Sequence, residues 1–405
     1  MTLSAATPVL AKDPVRVASP PLAAQEQPGG NKNLKDQERD KEKDKSARGQ
    51  AAKTDNAKTD KKPRNDAPSL KVLTREERLD FIRRAEVWQP TDVAAHDMRR
   101  GPGGEHAFSP NESVSCEYVE TKFEGKSRKF ECLTSTGERL RIRYGATNGE
   151  LQGSVIASRL LWALGFGADR FYPVKVTCQG CPDDPLKAPA KVDGVQEFDL
   201  AVVERKHPGE EVKAQGIEGW SWPELALVSD AAGGAAKAHR DALTLLAIFM
   251  QHTDSKPQQQ RLLCLPGGIT ETGYCNRPFL AIHDVGLTFG HASFSNDNLR
   301  SGANYEGWAS APVWRDTKNC IGHQSKSASG TLEDPKISEA GRAFLANLLD
   351  RITDAQLRDL FEVARVERRS RRPDDPNTTV SADVDEWVAL FKQKRAQITD
   401  QRCPQ

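Results

Sequence analysis

From Gln25 to Asp66 the chain offers almost no position that a core could use: the residues are chiefly Lys, Asp, Glu, Asn, Gln, Gly and Ala, and AKTD recurs at Ala52–Asp55 and Ala57–Asp60. Such a stretch cannot bury enough apolar surface to offset its chain entropy. Gly29, Gly30, Gly49, Pro63 and Pro68 interrupt any long charged helix. Residues 1–68 are therefore expected to be a disordered, charge-mixed tail. Periodicity begins at Thr74, which forms a capping box with Glu77 ahead of Leu79, Ile82 and Ala85 at helical spacing.

After a Gly/Pro loop at Arg99–Gly104 the period changes from helical to alternating. Phe130 and Cys132 alternate with charges, Ser135–Gly137 supplies a turn, and Leu140, Ile142 and Tyr144 alternate again, which predicts a β-hairpin. Asn148 and Gly149 open a helix that places Ile156, Leu160, Ala163 and Leu164 on one face and stops at Gly165. Strands are expected at Phe171–Thr177 and Phe198–Glu204. Beyond Trp220 the pattern turns helical, with a strong apolar helix at Ala235–Gln251 and two short strands at Arg261–Leu265 and Phe279–His283. An irregular stretch to Gly330 follows. Three helices close the chain, near Ser338–Arg351, Thr353–Val366 and Asp383–Gln397, the second with a Thr353/Gln356 capping box and the third with a Trp387, Leu390, Phe391 stripe. The fold class is α+β, strand-rich first and helical afterwards.

Composition narrows the partners. Lys plus Arg number 58 against 57 Asp plus Glu, so no net field recruits nucleic acid or an anionic membrane. No run of about 18 apolar residues supplies a spanning helix. Residues 1–11 end in Val9 and Ala11, small residues placed as before a signal-peptidase cut, but they lack the charged and long apolar parts of a signal. The remnant of a signal peptide and an ordinary N-terminus both fit. All eight cysteines lie outside the tail, an even set that permits four disulfides and favours an extracytoplasmic protein over a cytoplasmic one. Cys178 and Cys181 form a CQGC pair, open to a loop disulfide, half a zinc site or a redox motif. No second CxxC exists, so a zinc site would need Cys264, Cys275 or a histidine from far away.

Candidate chemistry concentrates in His252-Thr253-Asp254-Ser255-Lys256-Pro257-Gln258-Gln259. The segment resembles the H-R-D-L-K-P-E-N catalytic loop of the protein-kinase-like superfamily, matching four of its eight positions. In that superfamily a carboxylate holds the attacking hydroxyl and, five residues on, an amide oxygen helps to grip a metal; the resemblance puts Asp254 and Gln259 in those places. The spacing also suits the loops of HipA-type, phosphatidylinositol and spore-coat CotH-type kinases. The resemblance implies catalytic roles for Asp254, Lys256 and His252. Twenty-five residues after Gln259, Asp284-Val285-Gly286 ends a predicted strand and resembles the D-F-G element, which implies Asp284 and Gln259 as magnesium ligands.

In such a fold the small lobe presents a cation to the phosphates of ATP, paired with a helix glutamate. The matching strand offers Arg143 in place of lysine, the helix offers Glu150, and Lys175 on the next strand is a second choice. No G-x-G-x-x-G loop precedes that strand. The structural alternatives are a polar turn for the 252–259 loop, an N-terminal acid for Glu150, and the solvated face of a strand for Arg139, Arg141 and Arg143. Trp220 and Trp222 are expected in the core or at a helix entry, with a substrate contact as the alternative. The expectation is thus a two-lobed kinase-like fold: a tail at 1–68, a leading helix with the strand-rich small lobe at 69–205, and a helical large lobe at 206–400. It implies an ATP- and magnesium-dependent kinase whose acceptor is a protein, a lipid or a small molecule. The alternative is a pseudokinase or a non-catalytic binding domain.

Overall fold

The computed structural model describes residues 69–123, 127–291, 301–324, 330–369 and 382–404; the tail expected at 1–68, with its signal-like start, lies outside them. Helix α1 (Arg75–Arg83) starts where Thr74 and Glu77 exchange cap hydrogen bonds, and it buries Arg78, Phe81 and Ile82. Five strands then close into a barrel: β1 (Glu112–Val119), β2 (Lys129–Thr134), β3 (Arg139–Tyr144), β4 (Arg170–Gln179) and β5 (Val195–Arg205), in the order β1-β2-β3-β5-β4. The β2–β3 hairpin forms as expected, with Cys132 opposite Leu140 and Gly137 at φ +82° in its turn. β1 was not expected. Its Val114, Cys116 and Tyr118 face inward, and it closes the barrel by pairing parallel to β4 and antiparallel to β2.

The barrel interior is a core of its own, in which Phe130 meets Tyr144 and Phe198 ring to ring and the Cys116–Cys132 disulfide joins β1 to β2. Between β3 and β4 runs α2 (Glu150–Ala163), which ends ahead of Gly165 at φ +84°. The single apolar face expected for it proves too narrow: every residue of α2 except Trp162 is buried. Two buried surroundings explain this, since α2 packs on β4 and also against the segment after Asp284. Gly153 permits the second contact, because a Cβ there would lie 2.4 Å from the Gly286 carbonyl oxygen.

Beyond the barrel come β6 (Glu210–Glu211), α3 (Lys237–Phe249), β7 (Gln260–Cys264) and β8 (Pro278–Ile282), with β6, β7 and β8 forming a small antiparallel sheet. Short pieces follow: β9 (Gly290–His291), β10 (Gly302–Ala303), α4 (Tyr305–Ser310), β11 (Trp314–Asp316) and β12 (Ile321–Gly322). The closing helices are α5 (Glu339–Asp350), α6 (Asp354–Val363) and α7 (Val384–Thr399), and the Thr353/Gln356 capping box is present. Trp220, Trp222, Trp387, Leu390 and Phe391 are all core residues. The α+β division, strands first and helices after, is the observed one. The cysteines pair as Cys116–Cys132, Cys178–Cys181, Cys264–Cys275 and Cys320–Cys403, so the CQGC pair is a loop disulfide. Among the described residues no helix is long and apolar enough to cross a membrane.

Candidate active site

Arg139, Arg141 and Arg143 project from one face of β3, the face opposite Leu140, Ile142 and Tyr144 in the barrel core. Their side-chain exposure falls along the strand from 57% to 40% to 3%. The outer two are the solvated strand face; the inner one is not. Arg143 bonds Glu150 at the start of α2 (2.8 Å), Glu204 near the end of β5 (3.1 Å) and Asp284 beyond β8 (3.2 Å). Three distant segments therefore meet at one guanidinium, whose five donors suit several carboxylates at once. Ser127 donates to Glu150 at 2.6 Å. Burial pushes the Glu150 carboxyl up, opposed by Arg143.

Asp284 is held differently. Burial opposes its ionisation, but the Arg143 charge, His283 and the Gly286 N–H more than offset that and hold its carboxyl well below the usual range. Arg143 and the Gly286 N–H (3.1 Å) both contact Oδ1, leaving Oδ2 without a protein partner among the described residues. Gly286 fits tightly here, since a Cβ would lie 3.0 Å from both Arg143 and Glu150.

The 252–259 loop lies against the same segment. Thr253 donates to the Leu287 carbonyl through its N–H (3.2 Å) and its hydroxyl (3.0 Å). Gln259 ties the loop to Asp284, because its carbonyl accepts the N–H groups of His283 (2.7 Å) and Asp284 (3.3 Å) while its side-chain amide donates to Asp254 at 2.8 Å. That donor role aims the NH2 at the carboxylate and leaves the amide oxygen available. Lys256 flanks Asp254 at 3.3 Å.

Two of the expected residues sit elsewhere. Lys175 is on the solvent side of β4, 55% exposed and paired with Asp199 at 3.3 Å, because Val174 and Val176 on either side of it take the barrel interior. His252, the first residue of the loop, is fully buried with its ring 6.1 Å from that of Trp222, and burial lowers its pKa against the pull of Asp254 and Asp284. Two residues that sequence reasoning passed over join the cluster. Glu204 is one. Lys129 is the other: it stands opposite Arg143 across the β2–β3 ladder, half-buried, with its ammonium 5.3 Å from the Phe123 ring and no ion pair among the described residues. Burial, then the Arg143 charge, lower the Lys129 pKa against the pull of Asp284 and Glu204. An alternating Lys129 beside a buried Phe130 was the available signal.

Neither a scan against protein-family models nor a search of curated proteins finds a match. Among solved structures, the Helicobacter pylori proinflammatory kinase CtkA is similar over 72% of this chain and 96% of its own, at 11% identity and a TM-score of 0.39.

A neighbouring trio, Asp169, Glu204 and His283, has ligand atoms within 4.8 Å of one another. Its charges are already matched: His283 bonds Asp169 at 2.6 Å, Glu204 bonds Arg143, and Arg261 lies 3.6 Å from Asp169. A cation there would face two guanidinium groups. Asp284 Oδ2 and the Gln259 amide oxygen are hard oxygen donors with no protein partner among the described residues, although Arg143 also sits on the other oxygen of Asp284.

Proposed function

We propose that the chain is an atypical kinase-type phosphotransferase that uses ATP and magnesium and acts on an acceptor hydroxyl. The observation that carries this reading is Arg143 bridging Glu150 of α2 and Asp284 after β8, a junction of three segments beside the Asp254 loop. In this reading Asp254 orients the acceptor hydroxyl and takes its proton, and Lys256 beside it offsets charge on the group in transit. Asp284 and Gln259 would hold magnesium, which supplies neutralisation of phosphate charge when bound. Arg143 is occupied by three carboxylates, so Lys129 takes the phosphate-facing role that was expected of Arg143 or, as second choice, of Lys175. Four disulfides support an extracytoplasmic address.

A second reading, a nucleotide-binding pseudokinase, is favoured by the occupied Arg143 and by Gln259 standing where the family's loop has asparagine. Two measurements separate the readings. ATP with magnesium at 100 times its Kd is expected to stabilise the native chain by about 2.7 kcal/mol in a thermal titration. Transfer of labelled phosphate into whole-cell extract is expected to fall by roughly 10²- to 10⁴-fold in Asp254→Ala, with the ATP stabilisation kept. Stabilisation without any transfer by the wild type selects the pseudokinase. No stabilisation by any nucleotide sinks both.

A further inference from the structure

A cavity of about 540 Å³ opens away from the Arg143 cluster, where the C-terminal end of α2 meets the chain leaving β5. That volume is within the range of small-molecule sites. Trp162, Phe166 and Pro208 give it an apolar body, Arg170 and Arg277 line it, and no aspartate or glutamate does. His96 and His207 also face it, and burial lowers the pKa of each, so the fixed charge of the walls is the two arginines. Arg170 is underused by the protein. Its two outer nitrogens reach the Gly103 and Lys206 carbonyls only at 3.4 Å, and its buried Nε has no hydrogen-bond partner. Asp169, the acid nearest in sequence, points elsewhere: its carboxylate accepts from the His207 N–H at 2.8 Å and bonds His283 at 2.6 Å.

We propose that this cavity binds a small organic anion, a compact aromatic body carrying one carboxylate, phosphate or sulfonate that the Arg170 and Arg277 guanidinium groups receive. The apolar walls supply contact area, and charge-assisted hydrogen bonds to the arginines supply the selection for an anion. The site is also joined to the cleft. Ala168 and Arg170 flank Asp169, which holds His283, the residue before Asp284.

The probe is 8-anilinonaphthalene-1-sulfonate, titrated by fluorescence into the full disulfide-bonded chain, with N-phenyl-1-naphthylamine as the same body without charge. The wild type is expected to show one saturable site for the anion and at least about tenfold weaker binding of the neutral amine. The Arg170→Gln/Arg277→Gln double variant is expected to lose about tenfold in affinity for the anion alone. Gly103→Trp is the second variant, because a side chain there enters open space at the cavity wall without backbone strain and blocks both probes. It decides the matter if the double variant does not fold. Equal binding of the two probes, no saturable anion binding, or anion affinity unchanged in a folded variant would overturn the proposal. The readout uses neither ATP nor phosphotransfer, so it stands or fails apart from the kinase reading.

Discussion

Three carboxylates leaning on one buried guanidinium explain why residue 143 is arginine. A lysine ammonium is a point charge with three donors, whereas the planar fork of Arg143 reaches Glu150, Glu204 and Asp284 in different directions. The phosphate-facing role proposed for Lys129 rests on this sharing, since a cation already held by three acids has little left for a ligand. Asp284 gains most from the arrangement, and its depressed carboxyl makes a pH-dependent contribution to stability. A folded-state pKa below the unfolded value of about 3.9 stabilises the fold above that pH, and the contribution is lost as pH falls through the folded value. Asp284→Asn is therefore expected to be less stable than wild type at pH 7, with the deficit shrinking between about pH 4 and pH 2. Urea unfolding midpoints across that range check it, and a deficit of constant size would show that the Arg143 contact contributes nothing through charge.

Among the elements, α2 is the one that brings the barrel to the site. Its first residue supplies Glu150, and Gly153 one turn later lets the helix backbone lie directly on the 284–288 segment. Gly153→Ala is expected to cost about 1–3 kcal/mol, because the new methyl meets a backbone carbonyl that cannot swing aside. The same change should weaken nucleotide stabilisation by moving Asp284. Denaturant unfolding with and without ATP and magnesium measures both, and a variant as stable as wild type would mean that the helix and segment are free to part. The capped and strongly periodic helices were legible in the chain, as was the β2–β3 hairpin with its Gly137 turn. β1 was not, although Val114, Cys116 and Tyr118 alternate correctly, because a cysteine and a tyrosine between serines and a glutamate carry a weak apolar signal. Nothing local announces that such a strand pairs with β4, more than fifty residues on.

Across the whole molecule, the candidate site was half legible for a related reason. Asp254, Gln259 and Asp284 carry family-like spacing, and Arg143 follows from strand alternation. Glu204 and Lys129 are ordinary strand charges until the fold buries them. The disulfides were legible as an even count and, for Cys178–Cys181, as one of three readings of the CQGC pair, yet the full pairing decides how they act: Cys320–Cys403 spans 83 residues and Cys178–Cys181 only 3. By loop entropy the first is worth roughly 4.5 kcal/mol and the second roughly 1.6. Protein from its native host, denatured without reductant, is expected to show no reactive thiol. Eight would place the chain in a reducing compartment and remove the case for export.

The strand order of the barrel sets the order in which it can close as the chain emerges. β5 is the last of the five to be made, yet it lies between β3 and β4. The cylinder therefore stays open until residue 205 has emerged, and until then β3 and β4 each present an unpaired edge to whatever is nearby. During that interval β1 and β2 are already adjacent through a hydrogen-bonded ladder, and Cys116–Cys132 and Cys178–Cys181 are the two pairs whose partners both precede β5. A nascent chain halted within the Lys187–Val192 stretch, one strand short, is the species most exposed to capture by another chain.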